Sequence, residues 1–146
     1  MGSATPHFAT EADQEALALS DILTFHAYLD HESVSAIIQA LSANGRPIFC
    51  TEWMARAVDS RYADQLPLFQ AQGVGCFQWG FVKGRTQTHP PWPEALVRAH
   101  GGRSDDQNWF HDLLWEDGRP YDDAEIDVIR AAIDGRIKRN TASRRA

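Results

Sequence analysis

The run Arg46-Pro47-Ile48-Phe49-Cys50-Thr51-Glu52-Trp53 constrains the fold more than any other stretch of the chain. Asn44-Gly45 ahead of it stops a helix, and Pro47 opens an extended segment. Ile48, Phe49 and Cys50 then make the short apolar run of a parallel strand covered on both faces. Glu52 is the anomaly in that run. Such a strand has no low-cost place for an ionised side chain, so a Glu at its C-terminal end is predicted to be solvated or paired at the mouth of a site.

Two further runs have the same character. Residues 22–28 (Ile22 to Tyr28) are rich in β-formers, and 74–80 (Val74 to Gly80) read as a third strand. Between them lie helical patterns: Val34, Ile37, Ile38 and Leu41 over 32–43, then a helix around Tyr62, Leu66 and Phe69 that stops at Gln72-Gly73. Pro67 inside the latter predicts a kink or a late start. Strands separated by helices imply βαβ units, a parallel sheet and right-handed crossovers, hence an α/β fold. An earlier helix begins at Thr10-Glu11-Ala12-Asp13, with Ala12, Ala16 and Leu19 as its apolar stripe.

Beyond the third strand comes a loop over 83–93 with Gly84, Pro90, Pro91 and Trp92, long enough to expect a function. A polar spacer at 101–106 precedes an apolar segment, Trp109 to Trp115, expected to dock on the fold, and Asp117-Gly118 turns it. Asp122-Asp123-Ala124-Glu125 reads as a capping box, followed by a helix carrying Ile126, Ile129, Ile133 and Ile137. The basic end, 139–146, is expected to trail into solvent as a disordered tail.

The length of 146 residues and 43% hydrophobic content are those of one globular unit. The formal charge of -6 argues against a nucleic-acid partner, and no run reaches membrane-spanning length. The first residues show neither a basic n-region nor an apolar h-region. The His residues lack a tight ligand spacing such as His-x-x-x-His, so no metal is expected, and no cofactor motif is present. A Gly-x-Ser-x-Gly elbow is also missing, which argues against a serine hydrolase. Strand alternation puts Cys50 on the face of Glu52 and Cys76 opposite Trp79, so the two cysteines are expected to point to different layers as free thiols.

The chemically interesting residues gather at the predicted strand ends: His26 and Tyr28, then Glu52, then Trp79. A carboxylate, hydrogen-bond partners for it and an aromatic platform suit a sugar ring, with hydroxyls at its rim and C–H groups on its face. A packing role remains open for His26 and Trp53, whereas Trp109 and Trp115 are expected to be packing residues.

In that order, His-x-Tyr, Thr-Glu-Trp and an aromatic strand ending in Trp79 resemble the last third of clan A glycoside hydrolases. These are (β/α)8 barrels such as the family-five-like cellulases, mannanases and xylanase-type proteins. Trp109-Phe110-His111-Asp112 and Asp117-Gly118-Arg119-Pro120-Tyr121 resemble their closing segment. The resemblance implies an incomplete (β/α)8 TIM barrel, strands six to eight with their helices. It implies retaining hydrolysis of a β-linked polysaccharide, with Glu52 as nucleophile, Tyr28 orienting it and His26 bonding sugar hydroxyls or a neighbouring acid. Trp79 would stack on the sugar, with Trp53, Gln87, Thr88 and Trp92 as further substrate contacts.

The chain departs from that family at one necessary point. A retaining glycosidase needs a second carboxyl roughly 5–5.5 Å from the nucleophile, which in this clan follows an Asn, and the chain contains no Asn-Glu pair. The expectation is a C-terminal barrel portion that is inactive alone, with the other barrel half as its protein partner and a carbohydrate as its ligand. A non-catalytic sugar-binding role is the alternative. A phosphate-handling barrel using Lys83 and Arg85 ranks below both.

Overall fold

The computed structural model describes residues 10–102 and 108–143, with 136–143 as backbone only. Helix α1 (Glu11–Leu19), strand β1 (Leu23–His26), helix α2 (His31–Ser42), strand β2 (Ile48–Glu52), helix α3 (Tyr62–Gln72) and strand β3 (Gly75–Cys76) follow in that order. A short 3-10 turn (Arg56–Val58) lies between β2 and α3, and helices α4 (Glu94–Ala99) and α5 (Asp123–Ser143) follow β3. The three strands form a parallel sheet in the order β1-β2-β3, so the fold is α/β as the alternation of patterns implied.

Local chemistry explains most boundaries. Thr10 and Asp13 cap α1 reciprocally, and Asp30 accepts the amide of Ser33 at the start of α2. Gly45 and Gly73 take positive φ after α2 and α3, the left-handed turn that glycine makes at least cost. Arg46 reaches back to the end of α1 and donates to the carbonyls of Leu17 and Ser20, satisfying groups that a helix C-terminus leaves unpaired. Pro67 lies on the exposed side of α3, which runs through it without ending.

The core lies between one face of the sheet and the helices. Leu23, Phe25, Ile48 and Cys50 pack against Val34, Ile37, Ile38 and Leu41 of α2 and Leu68 and Phe69 of α3, while α5 adds Ile126 and Ile129 outside. The other sheet face carries exposed Thr24 and His26, half-buried Phe49 and exposed Phe77. The expectation that β2 is covered on both faces is therefore corrected, because among the described residues the helices pack on one face only.

Several other expectations change. Ala12, Ala16 and Leu19 of α1 form no buried stripe, and it is Leu17 that reaches the core. The third strand is shorter than 74–80, because the ladder ends at Cys76 and Gly80 turns with a φ of 80°. Its chain still follows β2, with the amides of Phe77 and Trp79 donating to the carbonyls of Cys50 and Trp53, each at 2.9 Å. Helix α4 rises out of the segment after Pro93, supported by the Glu94–Arg98 pair. Of the 101–106 spacer, 103–106 lie outside the described residues. At the C-terminus, α5 continues to Ser143 where a tail was expected from 139, and 144–146 lie outside the described residues.

The capping box at α5 is half made. Asp122 accepts the amide of Ala124, but Glu125 turns away to Arg56. Arg56, buried after β2, holds Glu125 through two of its nitrogens, at 2.8 and 2.5 Å, and donates to the carbonyls of Trp109 and Asp112. This one side chain ties β2, the 109–112 segment and α5 together. Farther along, Val82 and Pro120 both bridge to Leu114. The Lys83 ammonium lies over the rings of Trp115 and Trp109, at 4.7 and 5.6 Å, so both indoles pack as expected.

Candidate functional site

Register decides where Glu52 points. Phe25 of β1 faces Cys50 of β2, but the next residue, His26, faces Glu52, which leaves Thr51 as an extra residue in a β-bulge. The Thr51 hydroxyl donates to the Phe25 carbonyl within the bulge. A bulge of one residue reverses the alternation beyond it. Cys50 stays in the helix-covered core, whereas Glu52 turns to the open face beside His26. The sequence expectation that these two share a face is overturned by that single insertion.

Glu52 is held there by two partners. The Tyr28 hydroxyl donates to Oε2 at 2.9 Å, and His26 Nδ1 lies 3.3 Å from the same oxygen. Among the described residues no hydrogen bond reaches Oε1, and the side chain is 27% exposed. One oxygen is thus anchored and the other available. Burial, followed by the hydrogen bond and charge of Glu52, pushes the Tyr28 hydroxyl far above its ordinary range, so Tyr28 remains a proton donor to the carboxylate.

Tyr28 is itself braced. Trp92 packs edge-on against it at 5.1 Å and also meets Phe110 and His111. Trp92 is therefore a packing partner of Tyr28, while the sequence reading names it as a substrate contact. His111 approaches the Tyr28 ring at 5.4 Å, and its Nδ1 lies 2.6 Å from the Met54 carbonyl. Met54 is buried with a φ of 74°, an uncommon backbone state for a non-glycine residue, and it lies two residues beyond the end of β2.

On the other side stands Trp79, 44% exposed beside the end of β2, in a groove it shares with Phe77, Phe81, Val82, Thr86 and Thr88. Thr88 donates to Asp112 Oδ1 at 2.5 Å, while Gln87 sits exposed in a turn with a φ of 52°. Trp53 is not available to a ligand. It is 1% exposed and packs on Tyr62 and Phe69, because the chain turns inward after the bulge.

The sequence reading names His111 and Asp112 only within the closing segment and gives neither a role at the site. Asp112 is completely buried, and its Oδ2 has no hydrogen-bond partner among the described residues, with His89 Nδ1 at 3.6 Å. A Cβ on Gly80 would come within 2.8 Å of both Asp112 Oδ1 and His111 Cβ, so only glycine permits this contact. The available signal was a His-Asp pair inside an otherwise apolar run. Cys50 and Cys76 are free thiols as expected, but they are register partners on adjacent strands and do not point to different layers. The parity count from Trp79 failed because β3 ends before it. Burial pushes the Cys50 thiol up to about 12, which keeps it unreactive at neutral pH.

Burial also holds the His111 imidazole below its ordinary pKa, against the raising effects of the Met54 carbonyl and the Asp112 charge. The unfolded chain takes up this proton near pH 6.5 whereas the folded chain resists it. Unfolded protein then binds more protons, so stability is full above about pH 6.5 and falls as the pH drops toward the lower folded value. Urea midpoints measured from pH 7.5 to 5.5 are expected to decline, and less steeply in His111→Gln. An equal slope in that variant would remove His111 from the cause.

Among the described residues no group of three or more His, Cys, Asp or Glu side chains is placed to hold a metal ion, and no helix is long and apolar enough to cross a membrane. Comparison with protein-family models, with curated proteins and with solved structures finds no match to this chain.

Proposed function

We propose that this chain contributes the nucleophile side of a retaining glycosidase, with Glu52 attacking the anomeric carbon of a β-linked sugar. The observation that carries the reading is the Glu52 carboxylate, swung by a bulge onto the open face with Oε2 held by Tyr28 and His26 and Oε1 without a hydrogen bond among the described residues. An anchored, partly exposed carboxylate at a parallel strand end is what covalent glycosyl transfer requires. Trp79 supplies an exposed ring for the sugar face.

In this reading β1, β2 and β3 are the sixth to eighth strands of a (β/α)8 barrel. Among the described residues the sheet has two unpaired edges and one uncovered face, which supports it, since a sheet cut from a closed barrel has both. The rest of the barrel is the partner, and it brings the carboxyl that protonates the leaving oxygen. The chain alone is then inactive on polysaccharide. A non-catalytic sugar-binding role would draw on Trp79 alone. The phosphate reading is weakened, because Lys83 is occupied by two indoles.

A test that needs no acid uses 2,4-dinitrophenyl 2-deoxy-2-fluoro-β-glycosides of glucose, mannose and xylose. Glu52 Oε1 forms a bond to C1, and the C1–O bond breaks with its electron pair leaving on dinitrophenolate, which requires no proton. The expected result is a mass gain of one fluoroglycosyl unit on the peptide containing Glu52, absent from Glu52→Gln. Labelling elsewhere, or none with any of the three reagents, sinks the nucleophile assignment.

A further inference from the structure

Cys50 and Cys76 stand opposite one another on neighbouring parallel strands, and the Phe77 amide fixes that register by donating to the Cys50 carbonyl at 2.9 Å. One step earlier Phe49 faces Gly75, where a Cβ would come within 2.4 Å of the Phe49 ring on the open side of the sheet. The next pair therefore points the other way. Cys50 belongs to the core under the helices, and Cys76 packs against the same cluster, in a groove with Leu66, Phe69 and Ile129. Both thiols thus lie on one face. Register partners on adjacent strands have Cα atoms about 4.7–4.9 Å apart, inside the span of about 4.4–6.8 Å that a disulfide bridges.

The two differ in access. Cys50 is 0% exposed, whereas Cys76 is half-buried on the last strand and lines both the groove between α3 and α5 and the one beyond β3. A small reagent can meet Cys76 directly and Cys50 only through it.

We propose that Cys50 and Cys76 form a redox-modification site, in which Cys76 reacts with a small disulfide such as oxidised glutathione and Cys50 resolves the product into a bridge between β2 and β3. In the first step the Cys76 thiol gives its proton to solvent and its sulfur attacks the reagent. The reagent's S–S bond breaks, and one glutathione leaves as thiolate. In the second step Cys50 loses its proton to solvent and attacks Cys76 Sγ, the mixed S–S bond breaks, and the second glutathione leaves. Two protein thiols are oxidised and one glutathione disulfide is reduced to two thiols. The bridge replaces the hydrogen bond that the Cys50 thiol donates to the Glu52 carbonyl at 3.5 Å.

Burial makes Cys50 inert toward reagents in solution, and a thiol held at about 12 is ionised roughly 10³–10⁴-fold less at neutral pH than an ordinary one. Placement outweighs that deficit, because well-oriented intramolecular reactions reach effective molarities of about 10⁵ M and above. The Cys76 charge, a lesser cause of the same rise, disappears once Cys76 is capped. None of this depends on the glycosidase reading.

Incubation of the native chain with oxidised glutathione at mildly alkaline pH tests it. The expected product is lighter by two hydrogens, yields one cross-linked peptide pair joining Cys50 to Cys76 on non-reducing digestion, and reverts with dithiothreitol. It keeps a cooperative thermal transition, because the bond forms within the native sheet. Cys50→Ala is expected to stop at the mixed disulfide, with one glutathione on Cys76, and Cys76→Ser to take up none. A parent chain that stops at the mixed disulfide, dimerises through Cys76 or fails to react overturns the proposal. So does a bridged chain without a thermal transition, since its bond would have formed in the unfolded state. Should Cys50→Ala not fold, the parent's peptide map and melt still decide.

Discussion

Arg56→Ala is expected to be among the most destabilising substitutions in this protein, lowering the unfolding free energy by about 3–5 kcal/mol. The Arg56–Glu125 pair is almost buried, with side-chain exposures of 9% and 15%. Removing the guanidinium leaves the Glu125 carboxylate without its partner in that environment. It also strips donors from the Trp109 and Asp112 carbonyls and takes a cation from the Tyr121 ring, 4.4 Å away. Glu125→Ala creates the converse fault. In the double variant Arg56→Met/Glu125→Leu no buried charge is left unpaired, so its loss should be smaller than the sum of the two singles. It should still fall below the parent, because the two carbonyls remain unserved. Urea unfolding of the four proteins checks this. Strictly additive losses would mean that the pair is solvated and that another contact holds α5 to the sheet.

The second large effect separates two tryptophans that the sequence placed in one class. Trp53→Ala is expected to cost about 3–5 kcal/mol, since it empties a site packed on Tyr62 and Phe69 and adds a cavity. The indole N–H has no acceptor among the described residues, so Trp53→Phe should recover much of the loss. Trp79→Ala should change stability by no more than about 0.5 kcal/mol, as expected for an exposed position. Its effect is expected in sugar affinity instead. Thermal melts with oligosaccharide titration of both variants distinguish the roles. A stable Trp53→Ala that lost sugar binding would return Trp53 to the site.

The contrast has a physical origin in the bulge at Thr51. Up to Cys50 the strand alternates as its residue types suggest, and the helix-facing side can be read from Ile48 and Cys50. Beyond it the parity changes, Glu52 joins His26, and Trp53 enters the core. Nothing in Thr51 itself announces an inserted residue. The third strand failed similarly: Val74 to Gly80 has strand composition, yet the turn at Gly80 is set by packing against His111 and Asp112, some thirty positions later.

The sequence by itself determined the alternation of helices and strands as far as β3, the buried face of α2, the helix start at Thr10, and the gathering of His26, Tyr28 and Glu52 at neighbouring strand ends. These depend on periodicity, caps and connection lengths, which act over a few residues. Only the tertiary structure decided which side chains beyond the strand ends face the opening, how Glu125 leaves its cap for Arg56 across 69 positions, and that Trp92 braces Tyr28. Those outcomes depend on register and on competition among distant partners for the same buried polar groups. A local pattern carries no record of that competition.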